Sequence, residues 1–294
     1  MKKFITAIIF LATVQASPVS AQHFDVQKET IDYKEIDGHK LEMVIYKPEL
    51  QSNINLPAIV FFFGGGWVGG TPDHFSLQAK YLASRGMIAV CPDYRVKSRH
   101  NTTPFESVKD AKSAMRYLKI NGTDMGIDTA RIVASGGSAG GHLAACTAII
   151  DDINESTDNL SVSPVPMALV LFNPVVDTGK HGYGQEKMDG REFEISPVHH
   201  VTDGVPPTLI MHGRDDEVVP FENVERFEHA MEQHENSCTL IGYKNQEHGF
   251  FNYNREPKFF RRTMLKTESF LDDRNLLLGS SWLKKYIKEI KSTP

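Results

Sequence analysis

Cysteine is scarce in this sequence: only three occur among 294 residues, so at most one disulfide can form. A disulfide framework, which supports many small secreted proteins, therefore cannot hold this fold together. Cys91 ends an apolar run, Cys146 falls inside a predicted helix and Cys238 begins a predicted strand. We expect all three to be buried packing residues without disulfide partners.

Positive charge is also in deficit. The 37 acidic side chains outnumber the 32 lysines and arginines, which gives a formal net charge of −5. Because a nucleic-acid-binding surface needs clustered lysine and arginine, the composition excludes a nucleic-acid partner. Lysines near the C-terminus alternate with apolar residues at helical spacing, which indicates the solvated face of a terminal helix. These are Lys284, Lys285, Lys288 and Lys291.

No apolar run has the length of a comfortable membrane span. The run at residues 4–14 follows two lysines and precedes the small residues Val19-Ser20-Ala21, which is the pattern of a cleaved signal peptide. We predict that residues 1–21 are a signal peptide and that residues 22–294 are exported as one domain without a stable membrane anchor, to the periplasm or outside the cell. An uncleaved anchor is the alternative.

Signatures of metal and nucleotide sites are missing as well. No H-E-x-x-H occurs, and neither His199-His200 nor the pair His229 and His234 has metal-ligand spacing. The glycine-rich loop at residues 63–67 lacks a following Gly-Lys-Ser/Thr and any dinucleotide spacing. We therefore expect no metal and no other cofactor. His212 is expected to stabilise its own loop.

Predicted strands and helices alternate along the chain. Two alternating segments meet at Asp37-Gly38, which predicts a hairpin of Thr30–Asp37 and Lys40–Lys47. Further strands are predicted at Ala58–Phe63, Met87–Cys91, Arg131–Ala134, Met167–Phe172, Thr208–Met211 and Thr239–Tyr243. Three of them, Ala58–Phe63, Met167–Phe172 and Thr208–Met211, are expected to be buried. One predicted helix ends near Gly86 and another ends at Ile150. Three more are predicted at Ser107–Lys119, Phe221–Gln233 and Ser280–Ile290. The order predicts an α/β fold with a mostly parallel sheet and helices on both faces.

One long stretch interrupts this alternation. Asp177–Pro206 lacks strong periodicity and contains several glycines. Ligands of open α/β sheets bind outside the carboxyl ends of the strands. We therefore predict that this stretch crosses the carboxyl edge of the sheet.

The segment from Gly136 to Gly141, Gly-Gly-Ser-Ala-Gly-Gly, lies directly between a predicted strand and a predicted helix. In that context G-x-S-x-G predicts a nucleophile at Ser138, because only tiny neighbours permit the tight turn that exposes its hydroxyl. The N-terminus of the following helix would favour negative charge forming on a substrate. A glycine-rich structural turn with an incidental serine is the alternative.

A serine nucleophile needs a base and a carboxylate that orients the base. An acidic turn at residues 212–216 follows a buried strand, and His248 follows after one more helix and strand. The order serine, acid, histidine is the one expected of an α/β hydrolase. We predict Ser138, Asp216 and His248 as catalytic residues, with Asp215 as the alternative acid.

The loop Phe63-Gly64-Gly65-Gly66-Trp67 directly follows a predicted strand. Glycines let backbone N–H groups approach a developing alkoxide without obstruction by side chains. The α/β-hydrolase fold takes one of its oxyanion donors from a loop at this place. The loop is therefore predicted to form an oxyanion hole.

Together these segments resemble the hormone-sensitive-lipase-like esterases of the α/β-hydrolase superfamily, whose pattern is His-Gly-Gly-Gly-Trp plus Gly-x-Ser-Ala-Gly-Gly. The resemblance runs from about Pro57 to Phe250 and includes Asp93-Tyr94-Arg95 and Gly126-Ile127-Asp128. Within that group the chain is most similar to bacterial secreted carbohydrate esterases of the bifunctional feruloyl and acetyl-xylan esterase type.

The resemblance implies oxyanion donors at the N–H groups of Gly65, Gly66 and Ala139. It also implies a serine carboxylesterase that cleaves short acyl esters, acetyl or feruloyl, on polysaccharide fragments through an acyl-enzyme. The expected partner is thus an acylated carbohydrate or another small ester. A prolyl-oligopeptidase-like peptidase, an arylformamidase and a non-catalytic receptor with this fold are the alternatives.

The sequence departs from the family pattern in two respects. Phe63 stands where the family usually has a histidine whose ring helps to hold the oxyanion loop. Since a phenyl ring cannot hydrogen-bond in that way, we expect packing to hold the loop, with altered geometry but retained catalysis. The stretch before Ala58, without the signal peptide, is too short for the helical cap of many relatives, so we expect little or no cap domain and an open site.

Overall fold

The computed structural model describes residues 23–50 and 54–292, so the predicted signal peptide and its cleavage point lie outside the described residues. An eight-stranded sheet runs through the described chain in the order β1-β2-β4-β3-β5-β6-β7-β8. Its strands are β1 Val26–Ile36, β2 His39–Pro48, β3 Leu56–Phe62, β4 Ile88–Pro92, β5 Ile127–Gly137, β6 Ala168–Phe172, β7 Thr208–Gly213 and β8 Cys238–Tyr243. The helices are α1 Ser76–Ser84, α2 Lys97–His100, α3 Pro104–Asn121, α4 Ala139–Ile149, α5 Phe221–Gln233, α6 Pro257–Asp272 and α7 Leu283–Ser292.

The pairing of the strands confirms the predicted α/β class. β1 and β2 form the antiparallel hairpin that turns at Asp37 and Gly38, and β2 also runs antiparallel to β4. Every further pair, from β4–β3 to β7–β8, is parallel. Parallel strands need crossover connections, and α1, α3, α4 and α5 lie in four of them, whereas the connection from β6 to β7 is irregular apart from short 3₁₀ turns. The carboxyl ends of β3, β5, β6, β7 and β8 therefore meet at one edge.

Helices cover both faces of the sheet. Along β3, the side chains of Ala58, Val60 and Phe62 join one apolar cluster, while Ile59 and Phe61 join the other. Successive residues of a strand point to opposite faces, so a strand covered on both sides reads as a continuous apolar run. Residues of α3, α4 and α5 complete the first cluster, and residues of α1, α6 and α7 complete the second.

Three details of the sequence predictions can be compared with this fold. The lysines of α7 are exposed while Leu283, Tyr286 and Ile287 are buried, which is the solvated helix face that the sequence predicted. Cys91 and Cys146 are buried and unpaired, whereas Cys238, expected to be buried, is only partly covered at the start of β8. The helix α6 was not predicted. Among the described residues no helix combines the length and the apolar character that crossing a membrane requires.

The irregular stretch between β6 and β7 lies beside the glycine-rich loop. Arg226 binds the Asp177 carboxylate at 2.6 Å, and the N–H of Tyr183 donates to the Asp177 carbonyl at 2.9 Å. These bonds fix the start of the stretch and place Tyr183 close to Gly66, where a Cβ atom would lie 2.8 Å from the Tyr183 hydroxyl oxygen. Part of this stretch therefore borders the loop that follows β3.

Candidate active site

Ser138 stands on a strained turn between β5 and α4. Its φ of 55° and ψ of −122° are uncommon for a residue with a side chain, and such backbone costs on the order of 1–3 kcal/mol. The N–H of Ser138 donates to the Phe172 carbonyl at 3.0 Å, which anchors the turn to β6. Gly140 allows the close approach of β3, because a Cβ atom there would lie 2.0 Å from the Phe62 carbonyl oxygen. The strand, the turn and the helix thus hold the serine hydroxyl at the carboxyl edge of the sheet.

The structure brings Ser138, His248 and Asp216 into one hydrogen-bonded chain. Ser138 Oγ lies 2.9 Å from His248 Nε2, and His248 Nδ1 lies 2.7 Å from Asp216 Oδ2. Asp216 follows β7 and His248 follows β8, so two neighbouring strands bring a carboxylate and an imidazole to the serine hydroxyl. The side chain of Asp215, the alternative acid, is exposed and makes no hydrogen bond with any described residue. This arrangement can pass the serine proton to the imidazole.

The carboxylate of Asp216 is buried yet well supplied with hydrogen-bond donors. Burial acts to raise its pKa, but hydrogen bonds from His212 and His248 and from the N–H of Val219 outweigh burial and hold the pKa below its ordinary value. His212 Nε2 lies 3.2 Å from Asp216 Oδ2 and 2.9 Å from the Val219 carbonyl oxygen. His212 therefore links the Asp216 carboxylate to the Val219 carbonyl within the same turn. The ionised carboxylate can hold the Nδ1–H of His248 toward it.

The glycine-rich loop presents backbone donors next to Ser138. Gly65 and Gly66 have φ values of 137° and 62°, and a Cβ atom on Gly65 would lie 2.2 Å from the Gly69 carbonyl oxygen. Their N–H groups make no hydrogen bond with any residue that the structure describes. The N–H of Ala139 opens α4, where helical N–H groups have no partner within the helix. Gly65 and Gly66 line a cleft with Ser138, while the side chain of Ala139 is buried.

Packing alone does not hold this loop, which corrects the sequence expectation. The Phe63 ring does stack on Tyr94, with centroids 4.0 Å apart, and the Tyr94 hydroxyl donates to the Phe63 carbonyl at 2.7 Å. In addition, the N–H of Gly64 donates to His74 Nδ1 at 2.9 Å. A histidine from another position thus supplies a hydrogen bond that Phe63 cannot make.

The ring of His74 is itself fixed. Because Nδ1 accepts a hydrogen bond from the N–H of Gly64, Nε2 of the neutral ring carries the hydrogen and donates to Asn252 Oδ1 at 2.9 Å. Burial lowers the pKa of His74, although the hydrogen bond to Asn252 acts in the opposite direction. The neutral, accepting form is therefore favoured. No motif in the sequence singles out His74, since its partners come from distant segments.

We expect the substitution His74→Phe to lower kcat for p-nitrophenyl acetate by about tenfold. The substitution leaves the N–H of Gly64 without a partner, and an unsatisfied buried donor costs about 1–3 kcal/mol. We expect the loop to shift because the shift lowers this cost. The matched control His229→Phe, on the exposed face of α5, should change kcat by less than about twofold. A folded His74→Phe protein with unchanged kcat would show that the loop does not depend on this bond.

The cleft in front of Ser138 has a volume of about 310 Å³. Two of its polar residues, not identified from the sequence, support the histidine loop. Asn173 Oδ1 accepts the N–H of Gly249 at 2.9 Å, and Arg255 Nη1 donates to the His248 carbonyl at 2.7 Å. Both lie outside any motif, so the sequence holds no signal for them. Among the described residues no three His, Cys, Asp or Glu side chains are grouped so that they could hold a metal ion.

Known proteins resemble this chain along most of its length. A family model described as BD-FAE matches residues 43–179, and a model of the dienelactone hydrolase family matches residues 169–275. The solved structure of Thermogutta terrifontis esterase 2 phosphoramylated by tabun is 40% identical, covers 86% of this chain and 97% of that chain, and has a TM-score of 0.82. The propionate-bound structure of the same esterase is 40% identical with the same coverage and a TM-score of 0.81.

Curated relatives are more distant. A probable isoprenylcysteine alpha-carbonyl methylesterase of Arabidopsis thaliana is 26% identical over 245 residues, which is 75% of this chain and 50% of that protein. The chain thus spans about half the length of the curated relatives that it matches first. The solved structures are named as an esterase and this curated relative as a methylesterase, and the two solved structures cover 86% of this chain.

Proposed function

Since this chain belongs to the α/β-hydrolase esterases that include Thermogutta terrifontis esterase 2, and is a carboxylesterase, we propose that it removes short acyl groups, acetyl or feruloyl, from polysaccharide fragments. The match to the BD-FAE model supports this substrate class. The observation that carries the esterase mechanism is the chain of hydrogen bonds from Ser138 through His248 to Asp216. A family relative bound to propionate supports a short acyl group.

In the proposed mechanism Ser138 Oγ attacks the ester carbonyl and His248 Nε2 accepts its proton. The Asp216 carboxylate stabilises the imidazolium and holds the ring in the required orientation. His248 then gives the proton to the leaving alcohol, and an acyl-enzyme remains on Ser138. Water hydrolyses that ester by the same sequence of proton transfers. The chain needs no cofactor for these steps.

The oxyanion of the tetrahedral intermediate is proposed to bind the N–H groups of Gly65, Gly66 and Ala139. These donors are fixed by the loop and by the start of α4 before the reaction begins. Such preorganised donors are worth roughly 3 kcal/mol each in the transition state. Hydrogen-bonded support from His74 keeps the loop in place although Phe63 cannot provide it.

The finer relationship is part of the proposal. We infer that the chain is a hormone-sensitive-lipase-like esterase close to secreted carbohydrate esterases, and the His-Gly-Gly-Gly-Trp-like loop and the Gly-x-Ser-Ala-Gly-Gly segment support this inference. The predicted signal peptide at residues 1–21 supports export. An exported esterase would meet polysaccharide fragments rather than intracellular metabolites, which favours carbohydrate esters over arylformamidase substrates.

The proposed function predicts the release of acetate or ferulate from acylated xylan oligomers, alongside cleavage of p-nitrophenyl acetate. Both products can be quantified by chromatography, with heat-inactivated protein as the control. A peptide amide and an N-formyl aromatic amine serve as competing substrates. Cleavage of p-nitrophenyl acetate and of the peptide amide, without acetate or ferulate release, would contradict the carbohydrate assignment and favour a peptidase.

A further inference from the structure

A second cavity, of about 360 Å³, adjoins the catalytic cleft. Gly66 lines both spaces. Trp67 and Val68, next to Gly66, form part of its wall, and the other lining residues come from α2 and the residues that follow it, and from the irregular stretch between β6 and β7. The N–H of Lys97 donates to the Trp67 carbonyl at 3.0 Å, so α2 is joined directly to the glycine-rich loop. The cavity is therefore built onto the loop that presents the proposed oxyanion donors.

Tyr183 and Lys187 stand where the two spaces meet. Lys187 Nζ donates to the Tyr183 hydroxyl at 3.0 Å. A Cβ atom on Gly66 would lie 2.8 Å from the Tyr183 hydroxyl oxygen and 3.5 Å from Lys187 Nζ. Tyr183 lines the cleft of Ser138, and Lys187 lines the second cavity. A ligand that extends from Ser138 past this pair enters the second cavity.

Several polar side chains that line this second cavity make no hydrogen bond within the described part of the chain. The side chains of Lys97, Asn101 and Asp189 are exposed and form no hydrogen bond with any described residue. Two further lining residues, Thr102 and Trp67, each carry a side-chain polar atom, Oγ1 and Nε1, that is buried and has no partner in residues 23–50 and 54–292. Because these two atoms are buried, the exposed side chains supply the hydrogen-bonding groups of the cavity. The cavity thus offers both donors and acceptors.

This mixture selects among classes of ligand. An apolar acyl chain would leave these donors and acceptors desolvated and unpaired, which is costly. An anionic ligand would be attracted by Lys97 but repelled by Asp189, and a cationic ligand would be attracted by Asp189 but repelled by Lys97. A hydroxyl group both donates and accepts hydrogen bonds, so a neutral ligand with many hydroxyl groups can satisfy both kinds of side chain. The volume also lies in the range of small-molecule sites, which is about 300–1,000 Å³.

We propose that this second cavity is a glycosyl subsite, which binds a sugar unit of an acylated oligosaccharide while its acyl group lies at Ser138. The proposal rests on the proposed function and adds the part of the chain that recognises the alcohol side of the ester. Lys97, Asn101 and Asp189 contact the sugar hydroxyls. Small esters such as p-nitrophenyl acetate do not reach them.

The double variant Lys97→Met/Asp189→Gly tests the subsite. Both side chains are exposed, and glycine suits the φ of 51° at Asp189, so the fold should be retained. We expect KM for acetylated xylotetraose to rise about tenfold, because two hydrogen-bonding groups are lost. The kcat/KM for p-nitrophenyl acetate should stay within about twofold of wild type. The matched control is Lys284→Met/Asn275→Gly, which removes an exposed cation and an exposed left-handed residue far along the chain.

Inhibition by unacylated sugars gives a second measurement. Xylotetraose, mannotetraose and cellotetraose are tested as inhibitors of p-nitrophenyl acetate hydrolysis, and at least one should inhibit the wild type about tenfold more strongly than the double variant. Acetate release from acetylated xylotetraose with an unchanged KM, together with unchanged inhibition by the unacylated sugars in the variant, would overturn the subsite and leave the proposed function standing. Inhibition that depends on Lys97 and Asp189, without release of acetate or ferulate, would support the subsite and contradict the proposed function. No release and no inhibition would overturn both.

Discussion

The substitution Ser138→Ala is expected to lower kcat for p-nitrophenyl acetate by about 10⁶-fold. The hydroxyl oxygen is the only atom of this residue that can form the acyl-enzyme. It is also the atom 2.9 Å from His248 Nε2 whose proton the imidazole would accept. Substrate binding should change little, because alanine keeps the shape of the turn. The residual rate would come from the oxyanion donors and from binding. Stopped assays at high protein concentration, with a thermal unfolding curve for each protein, measure the effect.

Labelling by a fluorophosphonate probe provides an independent measurement of the same role. Wild type should be labelled on Ser138, as located by peptide mass analysis, and Ser138→Ala should not be labelled. Ser156→Ala, which removes an exposed serine hydroxyl, is the matched control and should keep full labelling and full kcat. Labelling of Ser138→Ala at the wild-type rate would identify another nucleophile. A folded but unlabelled wild type would favour the non-catalytic receptor.

The strands and the segment around Ser138 could be predicted because their signals are local. A strand covered on both faces must be apolar throughout, as Ala58–Phe63 is, and a serine turn between a strand and a helix must have tiny neighbours. By contrast, the support of the glycine-rich loop depends on His74 and Asn252, which are 178 residues apart in sequence. No pattern of spacing encodes such a contact. Only the fold brings these two side chains together.

The helix α6 was not predicted from the sequence for a different reason. Its buried positions Phe260, Met264 and Leu271 repeat at helical spacing, and a proline stands at its first turn, so the sequence does contain the signal. Charged residues outnumber apolar ones on its outer face, which hides the pattern from a search for apolar runs. A role for the side chains of Lys97 and Asp189 could not be predicted from the sequence, for a physical reason. An exposed polar residue has no periodicity, so only its position beside a cavity indicates a role.

The sequence predicts Asp216 as the catalytic acid and leaves Asp215 as the alternative, and substituting each of them tests this prediction. Asp216→Asn is expected to lower kcat by about 10⁴-fold. An asparagine keeps the shape of the side chain but removes the charge, and its amide can donate to His248 Nδ1 and so favour the wrong tautomer. Asp215→Asn should change kcat by less than about twofold, because that carboxylate is exposed and is not bonded to His248. The reverse order of the two effects would assign the acid to Asp215.

The dependence of Tm on pH shows whether Asp216 is charged in the folded protein. Its pKa is lowered in the folded protein, so its ionised form stabilises the fold above the unfolded pKa of about 3.9, and this contribution is lost as the pH falls through the folded value. Wild type should therefore have the higher Tm near neutral pH, since the carboxylate also accepts the N–H groups of Val218 and Val219. The difference in Tm from Asp216→Asn should shrink as the pH falls below about 4. A difference that stays constant with pH would mean that Asp216 carries no charge in the fold, and the orienting role that depends on that charge would fail with it.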